Sequence, residues 1–150
     1  MIALLQRVSS ARVDVENVGQ TGSIGTGLCV FLCVVAGDAE DDADWLADKI
    51  VRLRVFSDDQ GRFNHSLNDI GGEVLLVSQF TLAADATKGN RPSFIRAARP
   101  EEAVPLLDRF AARLREDHGV TVEEGRFGAS MSVELTNDGP VTLQLDTRSR

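Results

Sequence analysis

A chain of 150 residues suits one domain, residues 1–150, around one core, and its 43% hydrophobic and 26% charged content is that of a folded rather than a disordered protein. A formal net charge of -7 has the wrong sign for coating nucleic acid non-specifically, although a local basic patch can still recognise one nucleic-acid end. No apolar run reaches the length of a membrane span, and the start, Met1-Ile2-Ala3-Leu4-Leu5-Gln6-Arg7, lacks the basic stretch and cleavage site of a signal peptide, so a cytoplasmic location with no membrane partner is expected.

Residues 1–15 alternate in part, with Val8, Val13 and Val15 among polar neighbours, and read as a strand with a break at Ser9-Ser10. Gly19, Gly22, Gly25 and Gly27 mark a hairpin, or two tight turns around a short strand. The wholly apolar run from Leu28 to Ala36 predicts a central strand buried on both faces and ended by Gly37-Asp38. Its cysteines, Cys29 and Cys33, face one side, and four residues of strand hold them roughly 13 Å apart, too far for a disulfide. Without a CxxC or Cys/His cluster, buried reduced thiols are expected and a zinc site is not.

Ala43, Leu46, Ala47, Ile50 and Leu53 recur at helical spacing, which predicts a helix over 39–54. Glu40, Asp41 and Asp42 crowd its first turn and Lys49, Arg52 and Arg54 its end, as the helix dipole favours. A short strand at 54–56, a turn at Asp58-Asp59-Gln60-Gly61 and a return strand at 63–67 follow. His65, with no nearby carboxylate or cysteine pattern, reads as a surface or cross-strand residue rather than a catalytic base.

Val74-Leu75-Leu76-Val77 is short, apolar and flanked by Gly71-Gly72 and Gly89, the pattern of a buried strand. It runs into Ser78-Gln79-Phe80-Thr81-Leu82, whose polar side chains must be satisfied or aimed at something. On a regular strand Ser78 and Phe80 share one face and Gln79 and Thr81 the other, so both hydroxyls serve one pocket only if the alternation breaks near Phe80. On periodicity alone, a strand end whose hydroxyls bond to neighbouring backbone is the stronger reading. Lys88, Arg91, Arg96 and Arg99 then fall within twelve residues, either as a basic patch or as a solvated face.

Pro92-Ser93-Phe94-Ile95-Arg96 leads into irregular structure. Pro100-Glu101-Glu102 starts a helix whose stripe is Val104, Leu107, Ala111 and Leu114 with Phe110 beside it, stopping at His118-Gly119. Pro105 conflicts with a helix interior at a cost of about 3 kcal/mol, and marks either the true start or a kink. Strands at 120–122, 131–135 and 141–145 complete the chain, the last two joined by the turn Asn137-Asp138-Gly139-Pro140, before a frayed tail at 146–150.

Three segments, Ser78-Gln79-Phe80-Thr81-Leu82, Lys88-Gly89-Asn90-Arg91-Pro92-Ser93-Phe94 and Asn137-Asp138-Gly139-Pro140-Val141-Thr142, occur in order in a chain whose opening Ala3-Leu4-Leu5-Gln6-Arg7-Val8 and later Gly125-Arg126-Phe127-Gly128-Ala129 fit the same pattern. The chain thereby resembles the D-aminoacyl-tRNA deacylase family over nearly its whole length. The resemblance implies a homodimeric hydrolase that cleaves the ester between a D-amino acid and the tRNA 3′-terminal adenosine, and that also accepts glycyl-tRNA, including glycine mischarged on tRNA(Ala). It implies a cis Gly139–Pro140 bond inserted into the partner's active site, where its carbonyls hold the substrate amino group and exclude an L side chain, with Arg7 orienting that loop. Ser78, Gln79, Phe80 and Thr81 would form the catalytic segment, and Lys88, Arg91, Pro92, Ser93 and Phe94 would contact substrate. No cofactor or metal is implied. The expected architecture is α/β (α+β): mainly antiparallel strands in a barrel-like sheet flanked by two main helices. Ala83 stands where many relatives carry tyrosine, which reads as a wider pocket rim.

The chemistry suits these residue types. An aminoacyl ester already has a good leaving group and needs an attacking oxygen and donors for the oxyanion. Thr81 is the candidate nucleophile or water-positioner, and the N–H groups near Phe80 and Thr81 are candidate oxyanion donors. No base for Thr81 lies nearby in sequence, which favours attack by water assisted by the tRNA 2′-hydroxyl. An RNA-end binder without catalysis, a hydrolase of small D-amino-acid esters or N-acyl compounds, and a purely structural dimer are the competing readings.

Overall fold

The computed structural model describes residues 1–150. Its elements run β1 (Ile2–Val15), β2 (Gly19–Ile24), β3 (Gly27–Cys33), α1 (Glu40–Arg52), β4 (Phe56–Ser57), β5 (Phe63–His65), β6 (Glu73–Ser78), α2 (Pro100–Ala112), β7 (Val122–Glu124) and β8 (Met131–Asp146). β1 pairs antiparallel with β3 through its first half, with β2 through its second, and with β8 from end to end. β6 joins β3 in parallel, and β7 joins β6 in parallel. Parallel neighbours need a crossover, and α1 and α2 supply the two. The sheet curls until β2 meets β7: a Cβ on Gly22 would stand 3.1 Å from Glu123 Cβ. The expected barrel-like sheet with two helices is present, antiparallel except at β3–β6–β7. β4 and β5 form a separate two-stranded sheet, in which His65 lies opposite Phe56.

Both helices cover one face of the sheet, where Leu5, Leu28, Val30 and Leu32 meet Leu46, Ile50, Phe110 and Leu114. The inner face of the curl holds Val8, Val13, Ile24, Cys29, Leu75 and Val77. β3 is thus buried on both faces, as its unbroken apolar run predicts. Both thiols are free and buried, and burial pushes Cys29 up to about 12.

Several expectations change in the structure. The segment expected to form two strands is one strand of 16 residues, Met131–Asp146, not a hairpin, because both flanks of Asn137-Pro140 pair with β1 rather than with each other. Likewise β1 is unbroken at Ser9-Ser10, and the register shift falls in its pairing with β8. The tail is anchored: the Thr147 N–H donates to the Met1 carbonyl at 3.0 Å, and the Arg150 guanidinium lies 5.7 Å from the Trp45 ring centre. α2 begins at Pro100 and includes Pro105, whose missing N–H would have met the carbonyl of exposed Glu101. The buried stripe of α2 is Ala103, Leu106, Leu107, Phe110 and Ala111, with Val104 only half-buried. A π-helical turn, Arg113–Asp117, extends α2 to the expected end at Gly119 (φ +66°).

Ion pairs tie the two helices together. Arg109 donates to both Asp44 oxygens at 2.8 and 2.7 Å, and Arg113 to both Asp48 oxygens at 3.0 and 3.1 Å. The Arg113 bonds hold the Asp48 carboxyl down at about 2, below its usual 3.8, with help from His118, whose Nε2 lies 2.7 Å away. A carboxyl with a depressed folded value binds fewer protons folded than unfolded, so its stabilisation is complete above about pH 4 and fades as the pH falls towards 2. Unfolding free energy measured against pH should drop across that window. Asp48→Asn should flatten the drop and lower stability at pH 7 by about 1–2 kcal/mol; an unchanged acid limb would show that the pair contributes nothing.

Candidate active site

β6 ends at Ser78 because the chain leaves the sheet there. The Gln79 N–H still donates to the Leu32 carbonyl at 2.8 Å, and residues Phe80–Ala83 then wind into a 3₁₀ turn. That turn breaks the strand alternation, but it brings only Ser78, Gln79 and Phe80 to the adjacent cavity; Thr81 does not line it. Ala83 anchors it, fully buried with Ile2, Cys33 and Val35. Ala83 is therefore a core residue, not part of a pocket rim as the sequence comparison implied. Within the turn the Leu82 N–H donates to the Gln79 carbonyl at 3.2 Å, while the N–H groups of Phe80 and Thr81 find no acceptor in the protein. Gln79 Nε2 donates to Thr81 Oγ1 at 2.5 Å.

The following loop is closed by a two-way backbone pair between Asp85 and Ser93, both bonds 2.8 Å. It exposes Lys88, Arg91, Pro92, Arg96 and Arg99. Its return is fixed on the end of β3: the Ala36 N–H donates to the Arg96 carbonyl at 3.0 Å, and the Ala98 N–H to the Val34 carbonyl at 2.9 Å. This brings Phe94 edge-on to Phe80, ring centres 5.1 Å apart at 73°. Between the turn and the loop opens a largely apolar cavity of about 630 Å³, walled by Ser78, Gln79, Phe80, Phe94, Arg99, Phe127 and Met131, with Leu32 and Cys33 behind them.

The sequence reading did not assign Cys33, Phe127 or Met131 to the site. Phe127 carried a signal, since it is a large apolar side chain in a Gly-rich loop and is 44% exposed. Cys33 Sγ lies 3.6 Å from the Phe80 carbonyl, and burial pushes this thiol's pKa up, so it is no thiolate nucleophile. Neither histidine reaches Thr81: His65 lies in the β4–β5 sheet and His118 on Asp48. The one side-chain bond to the Thr81 hydroxyl comes from an amide donor, which takes no proton from it.

Arg7, Gly139 and Pro140 form a second cluster. Register places Asn137 opposite Val8 and Thr142 opposite Gln6, so residues 138–141 bulge out across from Arg7 alone. Arg7 is 6% exposed; its Nε donates to the Asp138 carbonyl at 2.9 Å and its Nη1 to the Val55 carbonyl at 2.5 Å. Gly139 and Pro140 are exposed and joined by a cis peptide bond. Gly139 has φ +131°, and a Cβ there would stand 2.9 Å from Val141 Cγ2 and 3.3 Å from Arg7 Nη2. This cluster does not line the cavity. Ala3 pairs with Leu32, and Leu32 with Ser78, so Arg7 lies four residues further along β1, roughly 13 Å away.

A family model described as D-Tyr-tRNA(Tyr) deacylase matches residues 4–146, a span that contains both clusters. The chain belongs to this family. A D-aminoacyl-tRNA deacylase of Ruegeria pomeroyi is 56% identical over 146 residues, which cover 97% of this chain and 99% of that one. Among solved structures, a c-Myc DNA unwinding element binding protein superposes with TM-score 0.90 at 39% identity, covering 97% and 98% of the two chains. A probable eukaryotic D-amino acid tRNA deacylase superposes with TM-score 0.81 at 19% identity, covering 96% and 97%, and so shares the fold of this family member.

Gly139→Ala places a side chain where backbone and neighbours both oppose it. Urea unfolding should show a loss of about 1–3 kcal/mol; a wild-type midpoint would mean that residues 138–141 relax without cost.

Proposed function

We propose that this chain is a single-domain, cytoplasmic deacylase that hydrolyses the ester of D-aminoacyl-tRNA, and that it acts as a pair of identical chains. The observation that carries the reading is the Ser78–Thr81 turn, which sets two unpaired N–H groups beside an apolar cavity, in a chain matching the deacylase family from residue 4 to residue 146. In this reading the scissile carbonyl sits against the Phe80 and Thr81 N–H groups, which stabilise the oxyanion as it forms. The 2′-hydroxyl of the terminal adenosine assists attack by water, since no side chain of the site is a base. Thr81 positions, and Ser78 and Gln79 line the pocket with Phe80.

Lys88 and Arg91 take the phosphates of the tRNA end, and Pro92, Ser93 and Phe94 hold the loop against the cavity. Gly139 and Pro140 serve the cavity of a second copy. Two features support this: the loop is exposed and roughly 13 Å along β1 from its own chain's cavity, and β8 pairs only with β1, which leaves its other edge free over 16 residues. An edge that long is usually covered. A loop that rejects L side chains by collision has nothing to collide with in glycine, so glycyl-tRNA is a substrate as well.

A second reading, a nucleic-acid-end binder without catalysis, draws on the solved neighbour named for DNA unwinding element binding. Incubation with D-, L- and glycyl-aminoacyl-tRNA separates the two. The deacylase releases D-amino acid and glycine and spares the L-ester, with a solution mass of twice 16.2 kDa. A binder protects all three esters, and a mass of one chain removes the shared site.

Two variants probe the roles. Thr81→Ala should keep kcat within about tenfold of wild type, whereas loss of a true nucleophile costs about a thousandfold or more. Lys88→Glu with Arg91→Glu should raise KM for the tRNA ester and flatten its dependence on salt, with little change in kcat. An unchanged KM would move the RNA contact elsewhere.

A further inference from the structure

Phe63 is 55% exposed on a three-residue strand, outside every buried cluster, and packing does not explain it. Its ring instead covers the Arg7 guanidinium, whose central carbon lies 5.4 Å from the ring centre. The same hairpin segment supplies the Val55 carbonyl that accepts from Arg7 Nη1 at 2.5 Å. We propose that the segment Val55–His65 is a clamp on Arg7, and that Phe63 is a positioning residue which, through Arg7, fixes the direction of the Gly139–Pro140 loop. This rests on the reading above, in which that loop contacts the substrate.

Three contacts restrain the guanidinium. The Val55 carbonyl and the Asp138 carbonyl fix it in its own plane through Nη1 and Nε. The Phe63 face adds a third contact, since a cation held over an aromatic ring is attracted by the ring's negative face. Nη2 is left beside Gly139, at the place where a Cβ would be 3.3 Å from it. A shift of Arg7 therefore carries Asp138 and Gly139 with it. The clamp itself is firm: Val55 and Phe56 are buried in the main core, and Asp58 closes the hairpin turn by accepting from the Gln60 and Arg62 N–H groups at 2.9 and 3.0 Å. A ring that only filled space would be replaceable by leucine. A ring that holds a cation is replaceable by tyrosine and not by leucine.

Phe63→Leu and Phe63→Tyr are compared with wild type in two measurements. In steady-state hydrolysis of D-aminoacyl-tRNA, Phe63→Leu lowers kcat about tenfold with KM unchanged, as expected for a reacting geometry displaced by a fraction of an ångström, and Phe63→Tyr restores it. The urea midpoint stays at the wild-type value in both. In ¹H–¹⁵N spectra the Arg7 Nε–H resonance moves and exchanges faster with water in Phe63→Leu, and keeps its position in Phe63→Tyr. Wild-type kcat in Phe63→Leu, or a Tyr variant as impaired as the Leu one, overturns the role in catalysis. An unmoved Arg7 resonance overturns the clamp itself. If the wild-type protein hydrolyses no D-aminoacyl-tRNA, the function reading fails while the resonance still decides whether Phe63 holds Arg7.

Discussion

β1 is hydrogen-bonded along both edges, and that double pairing fixes where the functional residues stand. At one end Ala3, Leu32 and Ser78 lie side by side across three strands, and the cavity opens beyond them. Four residues further on, Arg7 faces a stretch where β8 carries four residues, 138–141, between its partners of Gln6 and Val8, so the extra residues must leave the sheet. The barrel wall therefore carries a pocket at one place and a projecting loop at another, held apart by stiff strand. On the proposed reading a two-fold pair brings each loop to the other's pocket, and the shared strand frame makes both contacts equivalent.

Charge is sorted in the same manner. The acidic surface is partly consumed between the helices, where Arg109 and Arg113 neutralise Glu40, Asp44 and Asp48. The cations at 88–99 sit instead on an exposed loop beside the cavity mouth. With a net charge of -7, the body of the protein repels bulk nucleic acid, while on the proposed reading this loop takes phosphate locally. Such a distribution favours an RNA end that projects past the loop over a duplex that would have to lie along the acidic faces.

Much of this was legible from local pattern. The acid-to-base order of residues 40–52, the doubly buried run of β3 and the glycine that ends α2 each need only their own sequence neighbours to be understood. What failed was partner choice. Asn137-Asp138-Gly139-Pro140 has every mark of a turn and does leave the sheet, but turn chemistry does not say which strand the flanks will pair with. β1 is long enough to take both. The tail reads as frayed because Thr147 and Arg150 look solvent-seeking, and only the fold brings the Met1 carbonyl and Trp45 to them. The cavity suffers the same limit: Ser78 and Gln79 announce themselves as polar residues after a buried strand, whereas Cys33 and Phe127 join them from distant parts of the chain. Ala83 shows the converse, a position judged by what it lacks that turns out to be filled by the core.

The site's lack of a base constrains its chemistry further. Thr81 receives a hydrogen bond from Gln79, Cys33 is kept neutral, and both histidines are engaged elsewhere, so the protein offers this cavity shape and N–H donors but no proton acceptor. For an ester with a good leaving group that is sufficient, because position and oxyanion stabilisation supply most of what the reaction needs. On the proposed reading it also shifts the burden of selectivity onto geometry. A filter made of main chain cannot read which side chain an amino acid carries, only on which side of the Cα it projects. Such a filter works only if its atoms are fixed to a fraction of an ångström, since rejection by collision disappears when the wall can move. On the proposed reading that demand falls on Arg7, which is buried and bonded to two carbonyls.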